Sequence, residues 1–224
     1  MAVVLEKNQS MLLKNEDSKG LNSITVGLGW DPVTNKPNIE GFKEKKGFFD
    51  KLRHAGTVGR EVITKTDIDC DAFAVLMKDG EQDITADTVC FTNKRHKTDA
   101  VRLSGDNLTG DGEGDDEQIY ITLKRIPASY KTIFIGVNIY SAKSRNQTFG
   151  DIANAFIRVV DDETGAEICR FDLTNDSATK DEIAMILGRL DRTSEGWKFV
   201  ALANPAGESS IMDIARGLKR RNHN

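Results

Sequence analysis

Only four prolines and three cysteines punctuate the 224 residues, and no stretch approaches the roughly 18 consecutive apolar residues that a membrane-crossing helix needs. Cys70, Cys90 and Cys169 lie far apart, each within an apolar or alternating run, so neither a disulfide framework nor zinc-ligand spacing is present. Met1 opens a segment without the apolar core of an export leader, and a cytoplasmic protein is expected.

The inventory for catalysis is equally thin. The only histidines, His54, His96 and His223, sit in a polar stretch, a basic turn and the tail. No Gly-x-Ser-x-Gly elbow and no phosphate-cradling Gly-Lys-Ser/Thr loop occurs. Gly27-x-Gly29 lacks the third glycine of a dinucleotide fingerprint, and Trp30-Asp31 follows where a helix should start. Carboxylates are plentiful, but acid–base catalysis needs two in contrasting environments rather than a crowd in one loop. A non-enzymatic protein is expected.

What the chain has is 38% hydrophobic and 29% charged residues, the balance of a globular protein, and its length suits one all-β domain spanning residues 1–224. The net charge of −4 argues against a surface built for nucleic acid. The charges are segregated: acidic residues concentrate between Asp106 and Glu117, basic ones in Lys43–Arg60 and in the tail, residues 216–224.

Ser23–Trp30 places Ile24, Val26, Leu28 and Trp30 on one face of an extended strand, and the glycines between them imply a close backbone approach, a bulge or a nearby ligand. Further strand-like runs follow at Cys70–Met77, Thr88–Phe91, Ala100–Leu103, Gln118–Leu123, Lys131–Ile139, Phe156–Val160, Ala166–Asp172, Ile183–Leu190 and Trp197–Leu202. Many short strands separated by turn residues predict an antiparallel β-sandwich, with one or two short helices near Asn146–Asn154 and Ile211–Leu218. Residues 32–66 break the pattern, being polar and lysine-rich, and read as a flexible insertion.

The most informative stretch is Gly105–Glu117, in which six carboxylates and four glycines share thirteen residues. In a folded loop such charges repel unless a cation neutralises them; the alternative is a solvated acidic turn. Calcium takes six to eight oxygens from carboxylates, Asn side chains and backbone carbonyls, all of which this segment offers, whereas magnesium demands stricter octahedral geometry. The spacing is not that of an EF-hand, because Leu108 stands at the third position from Asp106. Asp67, Asp69 and Asp71 alternate in a second acidic group that a strand would set on one side, and Asp31 can complete such a site.

Val26-Gly27-Leu28-Gly29-Trp30-Asp31, Asp69-Cys70-Asp71-Ala72 and the Gly105–Glu117 segment together resemble the TerD family, as do Asn138-Ile139-Tyr140, Gln147-Thr148-Phe149-Gly150 and Asn154-Ala155-Phe156-Ile157-Arg158. The resemblance runs from about Leu21 to Gly217 outside the insertion. It implies a β-sandwich that binds calcium, two or more ions, through acidic loops, in bacterial proteins of resistance to tellurite, other chemical stresses and phage. Position by position it implies Asp31, Asp69, Asp71, Asp106, Asn107, Asp115, Asp116 and Glu117 as ligands, with a carbonyl from Gly112 and Asp67 as a further candidate. Two departures stand out: the insertion is longer than the family's usual connection, and Cys70 replaces a common hydrophobic residue.

The expected role is a calcium-binding stress-response protein that presents a surface to a protein partner in a stress complex. The alternative is a calcium-dependent scaffold or regulatory subunit docking on an anionic membrane, peripherally at its inner face, or on a membrane-associated stress complex. Basic runs such as Asn93–Lys97 would contact phosphate in that alternative, and otherwise read as solvated turns.

Overall fold

The computed structural model describes residues 2–32, 68–104, 114–173 and 179–222. Among these residues twelve strands alternate with little helix. They are β1 (Val3–Val4), β2 (Ser10–Leu12), β3 (Ile24–Pro32), β4 (Cys70–Lys78), β5 (Thr88–Val89) and β6 (Val101–Leu103), followed by β7 (Glu117–Ile121), β8 (Tyr130–Ile139), β9 (Ile152–Asp161), β10 (Glu167–Asp172), β11 (Ala184–Thr193) and β12 (Gly196–Pro205). The α-helices are α1 (Ala142–Arg145) and α2 (Ile211–Asn222).

The strands form two sheets, in the orders β1-β10-β9-β3-β7-β6 and β2-β12-β11-β8-β4-β5. Every pairing is antiparallel except that of β1 with β10. Alternation directs the packing. Ile24, Val26, Leu28 and Trp30 of β3, Ile119 and Ile121 of β7 and Ile133, Ile135, Val137 and Ile139 of β8 enter one core between the sheets. This is the sandwich the sequence predicts.

A third layer covers the second sheet. Phe73, Val75 and Met77, the other face of β4, are buried beneath Ile211, Ile214, Ala215 and Leu218 of α2, the one-sided spacing of an amphipathic helix. Central strand β4 is therefore buried on both faces, which is why its sequence reads as continuously apolar.

Three features differ from expectation. A helix over Asn146–Asn154 is replaced by one 3-10 turn, Phe149–Asp151, set by a capping box between Thr148 and Asp151. Asn146 and Asn154 both take left-handed backbone (φ 52°), which interrupts helical hydrogen bonding there. Next, β1 and β2 carry no sequence signal and exist through their pairings with β10 and β12. Third, His96 does not sit in a solvated turn: it is 1% exposed. Its Nε2 lies 3.3 Å from buried Asp87, to which Lys97 Nζ (2.8 Å) and the Tyr130 hydroxyl (2.7 Å) also donate. The insertion at 32–66 lies outside the described residues, except that its first residue, Pro32, ends β3. All three cysteines are free and buried, and among the described residues no helix is long and apolar enough to cross a membrane.

Candidate functional site

Three acidic segments meet at one end of the sandwich: Asp31 at the end of β3, Asp69–Asp71 at the start of β4, and Asp115–Glu117 leading into β7. Their approach is enforced by hydrogen bonds. The Trp30 indole Nε1 donates to the carbonyl of Ile68 (3.1 Å), tying the end of β3 to the residue before Asp69. The Ala72 amide of β4 donates to Glu117 Oε2 (2.6 Å) across the two sheets. A bulge between Gly29 and Asp31 turns the Trp30 amide out of the β9 ladder, and it donates instead to Asp116 Oδ2 (2.8 Å) while the Asp116 amide donates to the Leu28 carbonyl (2.8 Å).

The glycines of β3 serve this approach. A Cβ at Gly27 would run into the Asp115 carboxylate, and one at Gly29 would meet the Phe156 ring and come 2.7 Å from the Gly114 carbonyl. The acidic segment therefore lies directly on bare backbone.

Each candidate has a distinct setting. The Asp115 side chain is 2% exposed and held by Arg158, with Nε donating to Oδ1 (2.7 Å) and Nη2 to Oδ2 (3.1 Å). Gln118 Nε2 adds a third bond to Asp115 (3.0 Å). Hydrogen bonding to Asp115 raises the Arg158 pKa above its ordinary value, and Glu167 contributes further. Asp31 Oδ2 accepts from Asn154 Nδ2 (2.7 Å), which the left-handed turn presents. Asp69, Asp71 and Glu117 are all buried. Their charges converge: burial first, and then Glu117, Asp69, Asp71 and Asp116, push the Cys70 thiol well above its usual pKa. Cys70 is thus an inert buried thiol in a field of four carboxylates.

Asp67, Asp106, Asn107 and Gly112 lie outside the described residues. Among the described residues, no three acidic, histidine or cysteine side chains form a metal-holding group by themselves. What the described carboxylates supply is an all-oxygen, strongly negative and internally oriented wall, the donor chemistry of a hard divalent cation. The sequence reading passed over Arg158 and Asn154 as parts of this wall. Both lie in the Asn154–Arg158 motif, where an arginine on a strand facing an acidic loop is the available signal.

The TerD domain family model matches residues 1–216. The chain belongs to the TerD-domain family. It is 36% identical over 214 residues to stress response protein SCP2 of Bacillus subtilis (strain 168), covering 96% of this chain and 98% of that one. It is also 36% identical over 212 residues to tellurium resistance protein TerZ of Serratia marcescens, covering 95% and 94%. A crystal structure of a homologue of telluride resistance protein (TerD) from Streptomyces coelicolor A3(2) shares the fold, with a TM-score of 0.56 at 19% identity, covering 87% of this chain and 96% of that one. The matched range includes all of the described residues whose contacts assemble the acidic end of the sandwich.

Proposed function

We propose that this protein is a non-enzymatic calcium-binding module of a cytoplasmic stress response of the tellurite-resistance type, whose acidic end is ordered by two or more calcium ions and then presents a surface to a protein partner. The observation that carries the reading is that three acidic segments, at Asp31, Asp69–Asp71 and Asp115–Glu117, are tied to one end of the sandwich by the Trp30–Ile68, Trp30–Asp116 and Ala72–Glu117 hydrogen bonds. A bound cation would offset the mutual repulsion of acidic segments brought to one end, and an oxygen-only donor set suits calcium better than a softer metal. Relatives named for tellurium resistance and for stress response support the biological setting. Asp31, Asp69, Asp71, Asp116 and Glu117 would hold the ions, with Asp67, Asp106, Asn107 and Gly112 as further candidates. Asp115 would take part while anchored to Arg158.

Thermal unfolding in chelator and across a calcium titration tests this, with magnesium as control. A ligand that binds only the folded state stabilises it by about 2.7 kcal/mol at a hundredfold excess over Kd. A calcium-specific rise in midpoint, lost in Asp71→Asn, is expected; no rise at millimolar calcium would remove the metal from the account.

A second reading is favoured by α2, whose last turns expose Arg216, Arg220 and Arg221. Such a basic face suits calcium-dependent peripheral docking on an anionic membrane. Pelleting with phosphatidylserine vesicles, sensitive to both salt and chelator, distinguishes it from the soluble module.

A further inference from the structure

On the outer face of the second sheet, beside the start of α2, lies a cavity of about 300 Å3. This is at the lower end of the range that small-molecule sites occupy, roughly 300–1,000 Å3. Its wall includes Phe91 and Tyr140, which are 41% and 44% exposed. Their rings meet edge to face, centroids 6.3 Å apart. Large aromatic side chains left open to solvent at the mouth of a cavity offer apolar surface to a ligand.

Two polar features converge on the same space. Ser210 caps α2, its carbonyl accepting from the amides of Asp213 and Ile214 (both 3.0 Å). The amides of Ile211 and Met212 therefore belong to the first turn, where no carbonyl within the helix can receive them. Both residues line the cavity with Ser209 and Ser210, so a twelve-residue helix presents its positive end there. The second feature is independent of the helix. Asn138 of β8 also lines the cavity and is 6% exposed, yet its Oδ1 finds no hydrogen-bond partner among the described residues. A buried acceptor in that state calls for a donor. Its cross-strand neighbour is Asp71, which adds negative charge on the same side of the sheet.

We propose that this cavity binds an α-amino carboxylate, either a free amino acid or the last residue of a peptide. The carboxylate sits at the α2 N-terminus, the α-nitrogen donates to Asn138 Oδ1, and an apolar side chain lies against Phe91 and Tyr140. Carboxylate capture at a helix end requires no cationic side chain, and Arg145, whose guanidinium lies 5.5 Å from the Tyr140 ring centroid, reinforces the attraction.

The test is a titration of the full 15N-labelled chain in chelator, so that its outcome is independent of any cation. The probes are L-phenylalanine, N-acetyl-L-phenylalanine and the methyl ester of the latter. Saturable shifts of the Ile211 and Met212 amides and the Asn138 side-chain amide are expected with at least one acid, with affinity at least about tenfold weaker for the ester. Preference for the free amino acid assigns a metabolite; preference for the acetylated form assigns a peptide end. Asn138→Leu, which removes the acceptor at similar volume, and separately Phe91→Ala, at a side chain 41% exposed, should each weaken binding. No saturable shift with either acid at millimolar concentration, or equal binding of acid and ester, overturns the proposal.

Discussion

Glu117 of β7 accepts a hydrogen bond of 2.6 Å from the amide of Ala72 on β4, and so bolts one sheet to the other where the acidic segments meet. The Glu117 side chain shares the inward register of Ile119 and Ile121, which puts a carboxylate at the rim of an otherwise apolar core. A charge there is tolerable because it is hydrogen-bonded, and its position makes it a structural and an electrostatic element together.

The two roles separate by substitution. Glu117→Ala strands the buried Ala72 amide and should cost about 1–3 kcal/mol in urea denaturation carried out in chelator. Glu117→Gln keeps an oxygen for Ala72 and should cost less, yet on the calcium reading it should reduce the calcium-dependent rise in midpoint. If Gln and wild type respond equally to calcium, Glu117 is a bolt alone.

The bare backbone of β3 yields a second expectation. Gly27→Ala forces a methyl into the Asp115 carboxylate, and overpacking of this kind typically costs about 1–3 kcal/mol. Gly20→Ala adds a methyl with nothing within 4 Å and serves as the control, expected within about 0.5 kcal/mol of wild type. Differential scanning fluorimetry of the pair checks the contrast.

Arg158 holds Asp115 through two hydrogen bonds and also reaches Glu167 (3.1 Å). Because Asp115 is 2% exposed, Arg158→Ala leaves a buried carboxylate without its main partner and should cost about 3 kcal/mol, the low end for a broken buried pair since Arg158 itself is 29% exposed. Adding Asp115→Asn should recover part of that loss, since the stranded charge is then gone. A double-mutant cycle reads the coupling, and additive losses would mean that the pair does not act as a unit.

Much of this was legible in the sequence. The period-two pattern of Ile24, Val26, Leu28 and Trp30 identified an inward strand face, and the two glycines between them implied a close backbone approach, a bulge or a ligand, of which the structure shows the approach of Asp115 and Gly114 and a bulge at Gly29–Asp31. Other features depend on partners remote in the chain. The turn at Phe149–Asp151 is held from outside, its amides at Phe149 and Gly150 donating to the carbonyls of Glu182 and Lys180. Within Asn93–Lys97 the residues Lys94, Arg95 and Lys97 are exposed as a solvated turn would have them, and only His96 is drawn inward, because the carboxylate it meets, Asp87, belongs to a different segment. Local pattern reports which way a side chain faces, and these side chains face what it cannot report.

The Asp87 network sets a two-sided dependence of stability on pH. Burial works to raise the Asp87 pKa, but the bonds from Lys97, Tyr130 and His96 outweigh it and hold the carboxyl below its usual value. A depressed folded-state pKa contributes stability that is present above the unfolded pKa and is lost as pH falls through the folded one. His96 is depressed chiefly by burial, so below about pH 6.5 the unfolded chain takes up a proton that the folded chain resists, and stability falls further. At the alkaline end, burial and the hydrogen bond to Asp87 push Tyr130 up to about 12. Above about pH 10 the unfolded tyrosine ionises first, and stability is lost towards the folded value at roughly 1.4 kcal/mol per unit. Urea midpoints from pH 4 to 11 should therefore fall at both ends. Tyr130→Phe should make the alkaline limb shallower above about pH 10, leaving the share that the raised Cys70, Cys169 and Lys97 groups contribute, while lowering the plateau because Asp87 loses a donor. An unchanged alkaline limb in that variant would place the titrating group elsewhere.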